Sequence, residues 1–169
     1  MSSVEFDKRY DSEGDRVDFD TLVCQLLELV STLIGKNVLK GFVADKNNAA
    51  YLLYLLVGYT QMTVEQQELF EDDPNQFVYD NESFSIRTSA LLAISELMKL
   101  HKAQVSAPLI ESSQKHMMES AKLFQEKHEF WWKPREACFS ILESLSKFFS
   151  TSPQFDILGL LTTLIKNDL

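Results

Sequence analysis

Apolar residues recur at spacings of three and four along most of the chain. Leu22, Val23, Leu26, Leu27, Val30, Leu33 and Ile34 trace one helical stripe over about 19–34. Asp18 or Asp20 is a suitable N-cap and Gly35 a suitable stop. A second helix is expected over about 37–60, with a break near Asp45–Asn48. Its later part, Leu52–Val57, is apolar on all sides and should be buried on more than one face. Ile86, Ala90, Leu91, Ile94, Leu97 and Met98 predict a third helix over about 84–101. Val105, Leu109, Ile110, Met117, Ala121 and Phe124 predict a fourth over about 104–127, with Pro108 in its first turn, where proline is tolerated. Ala137, Cys138, Ile141, Leu142, Leu145, Phe148 and Phe149 predict a fifth starting near Lys133-Pro134. A sixth is expected from about Pro153 to the end.

Between the second and third helices lies the stretch "ELFEDDPNQFVYDNESFS", residues 68–85. Its six acids are Glu68, Glu71, Asp72, Asp73, Asp80 and Glu82, and no Lys or Arg occurs between Lys46 and Arg87. Thr63 can cap a short helix through Phe70, and Asp73-Pro74 can start another with Pro at its first position. Phe70, Phe77 and Phe84 are expected to pin this insertion onto the helix ends, holding the acids at a defined rim. Residues 1–17 mix acids and bases and read as a polar arm or loop.

Six helices with short links make about three hairpins: 18–60, 84–128 and 129–169, with 61–83 as an acidic, aromatic insertion. The chain stops at Leu169 with its last helix barely closed, so the third hairpin reads as truncated. "SALLAISELMKL" from Ser89 resembles "EACFSILESLSKF" from Glu136, 47 residues later (136 − 89). A period of roughly 40–47 residues with two helices per unit is that of HEAT-type α-solenoids. The fold class is therefore all-α. The end units of a solenoid expose apolar interface, so exposed hydrophobic surface is expected at both ends.

Composition narrows the function. The 169 residues suffice for one sizeable core, and the 5 Gly and 4 Pro are too few for a turn-rich β-fold. A net charge of −9 argues against DNA, RNA and anionic membranes; it would attract a basic partner, but composition alone favours a charge that only keeps the protein soluble. The longest apolar run, Ala49–Val57, is too short to span a bilayer, and no signal peptide opens the chain. Cys24 and Cys138 lie on apolar stripes and are expected as buried free thiols. His101, His116 and His128 lack any metal-ligand spacing and are expected on solvated helix surface. There is no nucleophile elbow and no phosphate loop. No cofactor is implied, and a binding scaffold is favoured over an enzyme. "FWWKPREACFSILESL" places Trp131 and Trp132 before a helix entered through Pro134. One Trp is expected to wedge against the neighbouring repeat while the other stays partly open.

These pieces together resemble the importin-β superfamily of karyopherins, and within it the importin-9 group and its fungal counterpart. The resemblance rests on "DSEGDRVDFDTLVCQLLELV", "YTQMTVEQQELFEDDPNQFVYD", "FSIRTSALLAISEL", "HEFWWKPREACFSILESL" and "FDILGLLTTLIKNDL", in this order over most of the chain. It implies a central fragment of a HEAT-repeat nuclear transport receptor that shuttles between cytoplasm and nucleus. It also implies basic protein cargo, namely histones, ribosomal proteins and the TATA-binding protein, and regulation by Ran-GTP in the full-length protein. Glu68, Glu71, Asp72, Asp73, Asp80 and Glu82 are then the expected protein-binding rim, for basic cargo or for Ran. A HEAT scaffold with no transport role is the alternative.

Overall fold

The computed structural model describes residues 9–10, 16–80 and 85–149, with side chains over 18–77 and 85–148. The helix expected from Pro153, together with Glu82, Phe84 and the side chain of Asp80, lies outside the described residues. Within the expected polar arm, β1 (Arg9–Tyr10) pairs antiparallel with β2 (Arg16–Val17), Arg9 opposite Val17.

Helix α1 (Phe19–Gly35) begins where Asp18 accepts a hydrogen bond from the Thr21 amide at 2.8 Å. Its end is set two residues beyond Gly35. Asn37 takes a left-handed φ of 59°, and the amides of Asn37 and Val38 return to the carbonyls of Ile34 and Leu33. Asparagine tolerates this conformation better than most residues. The expected break in the second helix is real: α2 (Lys40–Ala44) stops, and Asp45 caps α3 (Lys46–Tyr59) by accepting from the amides of Asn47 and Asn48. Helices α4 (Val64–Asp72) and α5 (Pro74–Asp80) follow. Helix α6 (Ile86–Gln125) joins the two helices expected over 84–127, and α7 (Lys133–Ser144) and the short α8 (Ser146–Phe149) close the described chain.

The 40-residue α6 is not straight. His101, with φ −131° and ψ 29°, breaks it into two arms. Arg87 in the first arm bonds Glu136, while Cys138, two residues further along α7, bonds the carbonyl of Ser113 in the second arm. In a straight helix Arg87 and Ser113 would lie roughly 39 Å apart, too far for both to reach one turn of α7. The arms therefore fold back on each other as a hairpin around His101. Pro108 consequently sits beyond the first turn of the second arm, where it is buried.

The hairpins stack in parallel. Ser112 and His116 bond the carbonyls of Ala50 and Tyr54, four residues apart on each helix, so the second arm runs parallel to α3. Arg87 near the start of the first arm meets Glu136 early in α7, and Lys102, just past the arm's end, reaches the Phe148 carbonyl in α8, so the first arm runs with the chain direction of α7 and α8. Like elements lying side by side are the arrangement of an all-α, HEAT-type solenoid fragment. One core runs through the stack: Val23, Leu27 and Ile34 from α1, Leu53, Leu56 and Val57 from α3, Ile94, Leu97, Val105 and Leu109 from α6, and Cys138 and Ile141 from α7.

Helix α1 uses only part of its apolar stripe. Val23, Leu27 and Ile34 are buried, but Phe19, Leu22, Leu26 and Leu29 are each more than half exposed. They form a second apolar face, as expected at an end of a solenoid. The other end lies outside the described residues.

Candidate interaction sites: an acidic hairpin and an aromatic groove

Helix α4 starts with a reciprocal cap. Thr63 Oγ1 accepts from the Gln66 amide at 3.2 Å, and Gln66 Oε1 accepts from the Thr63 amide at 3.1 Å. Asp73 ends α4 and starts α5, taking the amides of Asn75 and Gln76 at 3.0 Å each. Pro74 is the first residue of α5, where its missing N–H costs nothing.

Phe70 and Phe77 meet edge to face, ring centroids 5.4 Å apart. This corrects one expectation. The two rings join α4 to α5, which pack chiefly on each other, rather than pinning the insertion to the solenoid. The reason is short-range: the Asp73-Pro74 turn brings the two helices together before either reaches the stack. Glu68, Glu71, Asp72 and Asp73 are exposed, and Gln67 donates to Glu71. The result is a small hairpin of ordered carboxylates at known positions.

The second site is the turn before α7. Its core is a clasp. The Arg87 side chain is only 6% exposed, and its two terminal nitrogens grip both oxygens of Glu136 at 2.8 and 2.5 Å. Nη2 also donates to Ser140 Oγ at 2.9 Å. Such bidentate, charge-assisted bonds are geometrically selective. Above it lies an open groove of about 330 Å³ lined by Trp131, Trp132, Arg135, Phe139 and Glu143. Both Trp side chains are half-buried, rather than one packed and one open. Trp131 lies edge-on to Phe124 at 4.8 Å with Arg135 over its ring at 5.6 Å, and its carbonyl accepts from Ser120 at 2.7 Å. Pro134 is buried in the first turn of α7.

Lys133 is buried beneath this turn. Its ammonium sits 4.5 Å from the Phe130 ring centre and 5.7 Å from that of Trp132. Loss of hydration lowers its pKa, against the opposing pull of Glu129. Burial likewise pushes the Cys138 thiol up to about 12, although its hydrogen bond to Ser113 opposes the shift. Cys24 is raised too, by burial first and then by Asp20. Both thiols are free and buried, as the stripes indicated.

Two of the three histidines differ from expectation. His128 is exposed, but His101 and His116 are buried. His116 stacks on Tyr54 at 4.5 Å, and its Nε2–H donates to the Tyr54 carbonyl at 3.0 Å. The contact between parallel helices, not their spacing in sequence, makes these positions interior. Sequence reasoning also missed Arg87, Lys133, Ser112 and Ser120 as structural polar groups. One signal was available for Arg87: a cation in the first turn of an otherwise apolar helix needs a partner.

Among the described residues no three His, Cys, Asp or Glu side chains are grouped to hold a metal ion, and no helix is long and apolar enough to cross a membrane.

The Cse1 family matches residues 10–154, most of the chain. The chain belongs to the Cse1 family, within the importin-β superfamily. Importin-9 of Drosophila melanogaster is similar to it, 30% identical over 162 residues that cover 90% of this chain. The chain spans about 15% of the length of that relative. Membership in the Cse1 family agrees with the stacked helical hairpins and with the resemblance carried by the Trp-Trp turn.

Proposed function

We propose that the chain is part of a nuclear transport receptor, an importin, and that the α4–α5 hairpin contacts basic protein cargo. The observation that carries this reading is the exposed set Glu68, Glu71, Asp72 and Asp73 on capped helices, in a stretch from 47 to 86 without Lys or Arg. Membership in the Cse1 family and similarity to importin-9 support it. Carboxylates held on short capped helices attract a basic partner without first having to be ordered. By resemblance the cargo class is histones, ribosomal proteins or the TATA-binding protein. Binding of Ran-GTP to the full-length receptor regulates it, and the receptor shuttles between cytoplasm and nucleus. Direct nucleic-acid or membrane contact has no place in this reading. Asp80 and Glu82 extend the acidic run in sequence.

The test is cargo binding by the full-length receptor carrying Glu68→Gln, Glu71→Gln and Asp72→Asn together. Asp73 is kept because it caps α5. At ~0.5 kcal/mol per exposed charge, affinity for a core histone dimer should fall about tenfold at low salt. The difference should shrink as salt screens the charges. Equal affinity of the variant and the parent at low ionic strength would remove the hairpin from the cargo site.

A further inference from the structure

We draw no further inference here: the strongest candidate, the open aromatic groove between the first arm of α6 and α7 lined by Trp131, Trp132 and Phe139, has nothing in the structure to show what covers it.

Discussion

The clasp between Arg87 and Glu136 makes an asymmetric prediction. The Arg87 side chain is 6% exposed and the Glu136 side chain 29%. Removing the carboxylate leaves a guanidinium that water scarcely reaches. Removing the guanidinium leaves a carboxylate that is partly hydrated. Breaking a fully buried pair from one side costs about 3–5 kcal/mol. Ser140 still accepts one bond from Arg87, and Glu136 is partly open. Glu136→Gln should therefore destabilise by about 2–3 kcal/mol. Arg87→Met keeps the apolar stem and should cost about 1 kcal/mol. The double variant should cost much less than the two singles combined, because the uncompensated charge is gone. Urea unfolding followed by circular dichroism measures all three, provided the slope of the transition is unchanged. The surface pair Lys99–Glu96, with Lys99 exposed and Glu96 half-buried, is the control and should move stability by less than about 0.5 kcal/mol. Equal costs for the two single variants, or a Glu136→Gln variant as stable as the parent, would refute the reasoning.

Further outcomes follow from the core, the thiols and the caps. Leu97 is fully buried at the centre of the stack, so Leu97→Ala should cost about 2–5 kcal/mol in the same assay. Burial holds the Cys138 thiol neutral in the folded state up to about pH 12, whereas in the unfolded chain it ionises near its ordinary value of about 8.5. Its contribution is present in full below the unfolded value and is lost as pH rises towards 12, at most ~1.4 kcal/mol per pH unit. Cys138→Val should flatten that alkaline decline when unfolding is measured between pH 8 and 11, and an unchanged slope would contradict the burial. Thr63→Ala or Asp73→Ala removes a cap worth about 1 kcal/mol. Because α4 and α5 pack chiefly on each other, amide exchange should speed up across 64–80 while the core amides of α3 and α6 keep their protection. Ser120→Ala deletes the bond to the Trp131 carbonyl and should cost about 1 kcal/mol and shift the tryptophan fluorescence.

What was legible in the sequence is what each helix decides for itself. Spacing placed the helices. Asp45 announced the break before α3, and Thr63 with Gln66 announced the start of α4. The two cysteines on apolar stripes are indeed interior. The acidic stretch could be read as two short helices turned at Asp73-Pro74, because capping and proline geometry act over three or four residues. Tertiary structure alone decided the rest. Periodicity marks a helix's apolar faces without saying which of them meets a neighbour. Val23 and Leu27 are therefore inside, while Leu22 and Leu26 on the same helix are half in water. The break at His101 falls where spacing parts the third helix (84–101) from the fourth (104–127), but with no proline or glycine to mark a turn, the fold-back of the two arms was set by the stack. His116 became interior only when the second arm of α6 was laid along α3. Arg87 and Glu136, 49 residues apart, are each an ordinary surface-type residue until parallel stacking of the hairpins sets one against the other. Local rules are written in neighbouring residues. The pairing of distant faces is settled by the free energy of the whole stack, and that is where the clasp, the groove and the buried histidines originate.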